Sequence, residues 1–121
     1  MYIERSASIP LQRGERERLP ERRQSETLDF VFTRQSGSVL PVHAGVSHYA
    51  DGRLAEVFLQ TLKRSTDTED DARDIAVLLS VALQYGTPAP AIREALTRGE
   101  DGRAAGLAGA ILDLMFPVLS K

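Results

Sequence analysis

Three segments in the first half of the chain alternate apolar and polar positions with a period of two residues. They cover residues 27–33, 39–49 and 53–62, and this period is the signature of a half-buried β-strand. The apolar faces of the first two segments consist of Leu28, Phe30, Phe32, Leu40, Val42, Ala44 and Val46. The pattern predicts a small antiparallel sheet of two or three strands.

Two features within these segments refine the prediction. Pro41 has no N–H to donate to a neighbouring strand, so it favours an edge position or a strand that begins just after it. Asp51 and Gly52 separate the second segment from the third, and both residue types tolerate a positive φ. They predict a two-residue hairpin turn between the second and third strands.

The second half of the chain changes to the three- and four-residue spacing of amphipathic helices. A first helix is expected to begin at Thr66, whose hydroxyl would cap it while Glu69 reaches back, and to end before Gly86 and Pro88. Its apolar stripe comprises Ala72, Ile75, Ala76, Leu79, Ala82 and Leu83. This stripe should cover the sheet.

Two shorter helices follow in the pattern. One is predicted over residues 90–98, with Pro90 in its first turn, and the other over residues 105–116. The expected buried face of the last helix comprises Leu107, Ile111, Leu114 and Met115. Strands followed by helices indicate an α+β fold in which three helices pack on one face of the sheet.

Residues 1–24 have a different composition, with scattered prolines, alternating charges and few apolar residues. We expect a disordered or extended N-terminal arm there, followed by a single domain over residues 25–121. Arginine is enriched at protein interfaces, so the arginines of the arm are candidate partner-binding residues. They are Arg13, Arg16, Arg18, Arg22 and Arg23.

Composition limits the possible functions. The chain has 121 residues, 42% of them hydrophobic and 26% charged, which suits one soluble globular domain. It contains no cysteine, so disulfides, thiolate metal sites and cysteine nucleophiles are excluded. We expect a cytoplasmic protein that does not enter the membrane. A net charge of −2 weighs against binding to duplex nucleic acid without excluding it.

An acidic cluster at the start of the first helix imitates part of a calcium-binding loop. Asp67, Glu69 and Asp71 have the spacing of the first three ligands of an EF-hand. Ala72, however, occupies the position of the required glycine, and Leu78 that of the bidentate glutamate. Acidic residues are expected in a first helical turn, so we interpret the cluster as favourable to the helix end.

Other candidate sites are equally incomplete. His43 and His48 should lie on opposite faces of a regular strand, so they are not expected to share a metal ion. Four glycines, at positions 99, 102, 106 and 109, match no phosphate-binding loop and are better explained by turns and helix packing. We therefore predict no catalytic residue, no cofactor and no metal ion, and that the protein is not an enzyme.

Glu56 is the sixth candidate partner-binding residue. By the period of two it should share a face with Leu54 and Phe58, which would place a carboxylate beside apolar side chains. Such a glutamate either forms a structural hydrogen bond or contacts a partner or ligand. The sequence leaves both roles open.

Three sequence blocks follow one another in a recognisable order: YADGR at residues 49–53, EVFL at 56–59 and SVALQYG at 80–86. Together they resemble the TSCPD-type domain found toward the C-terminus of adenosylcobalamin-dependent ribonucleotide reductases. The resemblance extends from about residue 18 to residue 98. It implies a small α+β module that contacts substrate, nucleic acid or subunits beside a catalytic barrel. The Thr-Ser-Cys-Pro-Asp motif that names the domain is absent, so a role that needs its cysteine cannot be transferred.

Two functional hypotheses follow. The first is a non-enzymatic interaction or regulatory module, a stand-alone relative of the reductase domain. It would dock on a larger protein such as a ribonucleotide reductase-like enzyme, or associate with itself as a homo-oligomer. The alternative is a regulator that binds nucleotides or nucleic acid, which the arginines of the arm and the resemblance to nucleotide-metabolising enzymes suggest.

Overall fold

The computed structural model describes residues 14–21, 24–61 and 66–116. Three strands, β1 (Ser25–Thr33), β2 (Val39–His48) and β3 (Leu54–Thr61), precede three helices, α1 (Thr66–Gln84), α2 (Ala89–Ala95) and α3 (Leu107–Met115). The strands form an antiparallel sheet in the order β1-β2-β3. The predicted α+β class is confirmed. The predicted capping role rests on the Thr66 side chain, which lies outside the described part of the structure.

The first two strands pair without interruption. Each of the nine residues of β1 faces a residue of β2, from Ser25 opposite Ser47 to Thr33 opposite Val39. The link between them closes where the Arg34 N–H donates to the Ser38 carbonyl at 2.8 Å. A regular pairing of this length keeps the predicted apolar row of both strands on one face.

The sequence prediction for Pro41 was wrong. The strand β2 begins at Val39, before the proline, and it is the central strand of the sheet. Pro41 is paired with Val31 of β1, whereas in the described residues the pairing with β3 begins only at Val42. The proline interrupts none of the described β2–β3 pairs.

The turn between β2 and β3 has three residues rather than the predicted two. Tyr49 N–H donates to the Arg53 carbonyl at 2.8 Å, and Gly52 N–H donates to the Tyr49 carbonyl at 2.9 Å, which encloses residues 50–52. Gly52 has φ of +95°, the left-handed conformation that ends a three-residue hairpin loop. A three-residue loop offsets the two strands by one position relative to a two-residue turn.

A β-bulge follows the turn. Ser47 faces Glu56, but the next residue, His48, faces Leu54, so Ala55 is an extra residue in β3. Leu54 and Ala55 are consequently both buried. Beyond the bulge, β3 alternates regularly between buried and exposed positions.

The core lies between one face of the sheet and the helices. The predicted row of β2 is fully buried there, together with Val57 and Leu59 of β3. The helix α1 packs mainly on β3, and α3 contacts both α1 and α2. The helical side of the core comprises Ala72, Ala76, Leu79, Leu83, Leu107, Ile111 and Leu112. None of the helices within the described ranges is both long enough and apolar enough to cross a bilayer.

The two shorter helices depart from prediction in their details. The helix α2 ends at Ala95 rather than at Arg98, because Leu96 is extended and residues 98–104 form a small hairpin closed by a bridge between Arg98 and Ala104. In α3, Leu112 is buried and Leu114 is 46% exposed, the reverse of the expected assignment. The apolar face of α3 is therefore rotated toward Leu112.

Candidate functional site

Ser80 connects α1 to β3 through a single hydroxyl group. The Val57 N–H donates to Ser80 Oγ at 2.9 Å, and the Ser80 hydroxyl donates to the Val57 carbonyl at 3.0 Å. Ser80 is buried, where an unpaired main-chain N–H or carbonyl would be costly. The side chain thus satisfies both main-chain groups of one residue of β3.

Gln84 connects three parts of the chain at the end of α1. Its Nε2 donates to the Ala55 carbonyl at the bulge, at 3.0 Å, and its Oε1 accepts from Arg16 Nε at 2.6 Å. Its main-chain carbonyl accepts from the Glu17 N–H at 2.7 Å. The buried amide therefore holds the bulge and the segment of residues 14–21 against the helix.

Gly86 ends α1 as predicted. It has φ of +101°, and the N–H groups of Gly86 and Thr87 donate to the carbonyls of Leu83 and Ala82. These two bonds form the common helix-terminating motif that requires a left-handed residue. The last sequence block of the family resemblance, residues 80–86, thus serves helix termination and helix-to-strand contact.

The first block, residues 49–53, anchors the N-terminal segment. The Tyr49 hydroxyl donates to the Glu17 carbonyl, and Arg53 Nη2 lies 3.0 Å from the Glu17 carboxylate. The Arg53 guanidinium stacks over the Tyr49 ring, 4.5 Å from its centroid, and also pairs with Asp51 at 2.8 Å. Burial, together with the nearby Glu17 carboxylate, raises the pKa of Tyr49 to about 12. The pKa of Asp51 is lowered mainly because its carboxylate accepts a hydrogen bond from the main-chain N–H of Arg53. The hydrogen bond from the Arg53 side chain is the second cause.

The predicted partner-binding arginines are only partly visible. Arg13, Arg22 and Arg23 lie outside the described residues. Arg16 is half-buried against Gln84, and Arg18 is exposed. The role of the arm and the domain boundary at residue 24 stay predictions. The alternative of a nucleotide- or nucleic-acid-binding regulator also stays a prediction.

The expected surroundings of Glu56 were wrong in one respect. Because Ala55 forms the bulge, Glu56 shares the outer face of the sheet with Phe58 but not with the buried Leu54. It lies opposite Ser47, whose hydroxyl is 2.9 Å from that of Ser25. The carboxylate is therefore on the side of the sheet away from the apolar core.

The two histidines are separated, in agreement with the pattern. His43 lies on the outer face with its Nδ1 2.6 Å from Asp29 Oδ1, whereas the pleat directs His48 to the other face. In the described ranges, no three side chains of metal-binding type converge on a common point. The predicted packing role of the later glycines is confirmed at Gly109, where a Cβ would collide with the Ala104 methyl group.

An ion-pair cluster that the sequence reasoning missed joins α2 to α3. Asp113 accepts a two-pronged hydrogen bond from Arg98, at 2.7 and 2.8 Å, and a further one from Arg93 at 2.7 Å. The hydrogen bonds from Arg98 have the largest effect on the pKa of Asp113 and lower it. Burial raises this pKa, the hydrogen bond from Arg93 lowers it, and the resulting pKa is about 2. The sequence signal that could have revealed this cluster was Asp113, the single acidic residue in the otherwise apolar helix α3.

Apart from Leu114 on α3, the exposed large apolar side chains of the described residues lie on two separate surfaces. We name the first the α1 strip. It comprises Val77, Leu78 and Val81 of α1 together with Tyr85, which directly follows the helix. Val77 is 55% exposed, Leu78 70% and Tyr85 51%. The second surface is the outer face of the sheet, where the exposed apolar side chains are Val31, Val39 and Phe58. Several exposed apolar side chains close together, as in the α1 strip, commonly mark an interaction surface.

Comparison with known proteins relates the chain to one group of enzymes. It is 31% identical over 83 residues to the vitamin B12-dependent ribonucleotide reductases of Bradyrhizobium diazoefficiens and Agrobacterium fabrum. It is 36% identical over 73 residues to that of Rhodopirellula baltica. The matches cover 69%, 69% and 60% of this chain, but only 6% of the length of each relative.

The chain is therefore related to a short region of vitamin B12-dependent ribonucleotide reductases, as the sequence blocks indicated. No protein-family model matches it. No solved structure matches it either.

Proposed function

We propose that the protein is a non-catalytic, TSCPD-like interaction module that docks on a larger, ribonucleotide reductase-like enzyme in the cytoplasm. The observation that carries this proposal is the α1 strip. Its three most exposed side chains lie within nine residues, two of them on α1 and Tyr85 directly after its end, and each is at least half exposed. Burial of such groups against a partner is the usual source of binding free energy in helix-in-groove recognition.

The contacts of the sequence blocks support the same proposal. Tyr49, Arg53, Ser80 and Gln84 are all engaged with other parts of the chain. These contacts fix the orientation of α1 on β3, so the α1 strip is presented on a rigid support. A preformed surface binds with a smaller loss of conformational entropy than a flexible one.

The choice of partner follows from the relatives. In each of them the related region is a small part, 6%, of a much longer polypeptide. A region of this size within a longer chain has other parts of that chain available to contact. The α1 strip would provide the corresponding contact between separate chains. Asp70, Asp71 and Asp74 precede the strip on α1, so the partner groove should be apolar with basic residues at one end.

Binding to the vitamin B12-dependent ribonucleotide reductase of the same organism tests the proposal, measured by biolayer interferometry with the full chain. Leu78→Ser should weaken binding at least tenfold, which corresponds to about 1.4 kcal/mol, because it removes the most exposed apolar side chain of the strip. Leu114→Ser is the matched control, since Leu114 is an exposed leucine on α3. The control should bind like the unaltered protein.

Absence of binding by the unaltered protein would refute the proposed partner. Equal losses in both variants would refute the α1 strip as the contact. Circular dichroism of each variant establishes that the fold is retained.

A further inference from the structure

The strand β1 forms one edge of the sheet, and within residues 14–21, 24–61 and 66–116 no strand pairs with its outer side. This edge is nine residues long, regular, and free of proline and glycine. Natural proteins usually shorten, bulge or cover such an edge, because its unpaired main-chain groups are a template for another strand. The strand β1 is neither short nor bulged, and no strand of the described residues covers its outer edge.

The core is also incompletely covered beside this edge. The helix α1 packs on β3, at the far side of the sheet. Leu28 and Phe30 on the core face of β1 are only partly buried, whereas Phe32 is buried. A partner at this edge would therefore cover apolar side chains as well as main-chain groups.

The hydrogen bonds of β3 show, through the pairing of the three strands, which main-chain groups of β1 point away from the sheet. Val57 uses both main-chain groups to bind Ser80, so its pair with Val46 is not a hydrogen-bonded pair. The main-chain groups of Val46 then point toward Glu26. By alternation, the outward N–H and carbonyl groups of β1 belong to the odd-numbered residues from Ser25 to Thr33.

We propose that a second copy of this chain pairs with the β1 edge, antiparallel and about a two-fold axis, to form a continuous six-stranded sheet. The axis passes between Phe30 and the Phe30 of the second copy. This surface is distinct from the α1 strip, so the proposal goes beyond the docking function above.

The sequence of β1 is complementary to itself in this register. It places Thr27 opposite Thr33 and Asp29 opposite Val31, so the outward groups meet as hydrogen-bonded pairs. On the core face, Leu28 lies opposite Phe32 and Glu26 opposite Arg34. Opposite charges that face each other across strands are stabilising. The Arg34 guanidinium lies 5.9 Å from the centroid of the Phe32 ring, which places it on this core-side row.

Neighbouring registers are less favourable. An axis at Asp29 would place two carboxylates directly opposite each other, which is destabilising. An axis at Val31 would place Arg34 opposite Leu28 and Glu26 opposite Ser36, so the ion pair would be lost. A two-fold axis forms each contact twice, which is the defining property of an isologous dimer. The register at Phe30 alone combines opposite charges with matched apolar residues.

Charge reversal tests this dimer without disturbing the fold of one chain. Glu26 and Arg34 are eight residues apart along the chain, which is about 27 Å in an extended strand, so they can meet only between copies. Glu26→Arg and Arg34→Glu should each raise the dimer dissociation constant at least tenfold in sedimentation equilibrium of the full chain. The double variant should return it to within about threefold of the original value. Asp70→Arg, a reversal on α1, should leave it unchanged.

Thr27→Pro gives a second measure. Its N–H points outward, so a proline removes a bond between copies but none to β2. This variant should be monomeric with a β-sheet signal in circular dichroism.

A monomeric unaltered protein would overturn the proposal, and so would failure of the double variant to recover the dimer. Protected β1 amides in a monomer would also overturn it, since they would show another segment of the same chain on the edge. Leu78→Ser, which tests docking, should not affect the dimer, so the two proposals fail separately.

Discussion

At the scale of single residues, the polar side chains of the sequence blocks act on the main chain. Ser80 and Gln84 are buried on α1, and each binds a main-chain group of β3. Their positions four residues apart place them on one face of the helix, against the strand. A buried polar side chain is favourable only when it is hydrogen-bonded, and here the bonds also fix the helix in place.

Ser80→Ala should therefore destabilise the protein by about 1–3 kcal/mol, because it leaves the N–H and carbonyl of Val57 without their buried partner. Urea denaturation followed by circular dichroism measures the free energy of unfolding. Ser38→Ala, at an exposed position in the β1–β2 link, should change it by less than about 0.5 kcal/mol. A Ser80→Ala protein as stable as this control would contradict the role given to the hydroxyl.

At the scale of elements, α2 and α3 are joined by the cluster of Arg93, Arg98 and Asp113. The two arginines come from α2 and the hairpin after it, and the acid comes from the middle of α3. The low pKa of Asp113 means that the ionised carboxylate is more stable in the folded protein than in the unfolded chain. Its contribution to stability is present above the ordinary pKa of an aspartate and is lost as the pH falls through the folded value.

The stability of the protein should thus decline as the pH falls from about 4 to about 2, where Asp113 becomes protonated in the folded state. Because the carboxylate is partly exposed, the contribution should be about 1 kcal/mol after solvent screening. Asp113→Asn should lose this contribution at pH 7 and flatten the decline. Urea denaturation across this pH range measures both effects. An unchanged slope in the variant would show that other groups cause the decline.

The elements also show what the sequence could predict. The period of two residues predicted two or three strands, and the period of 3.6 residues predicted three helices, because burial of one face dictates both periods. The bulge at Ala55 could not be predicted in this way, since it depends on a three-residue turn and on Gln84, which is distant in sequence and binds the Ala55 carbonyl. The face of Glu56 follows from that bulge. The central position of Pro41 depends on β1 and β3 both pairing with β2, which the local pattern does not contain.

At the scale of the whole molecule, the two proposed interaction surfaces lie on opposite sides of one sheet. The α1 strip belongs to the helix over β3, and the self-complementary edge belongs to β1 on the other side of β2. Residues 14–21 bridge the turn after β2 and the end of α1, which holds the support of the strip together. A dimer formed through β1 would leave both α1 strips free, so one assembly would present two docking surfaces.

Site-specific photo-crosslinking tests most directly whether the α1 strip docks on a ribonucleotide reductase. Benzoylphenylalanine is introduced in place of Leu78 in one protein and in place of Val39, an exposed residue on the outer face of the sheet, in another. We predict that illumination with the vitamin B12-dependent reductase of the same organism crosslinks the first protein to the enzyme and not the second. Crosslinking from position 39 alone, or from neither position, would contradict the claim.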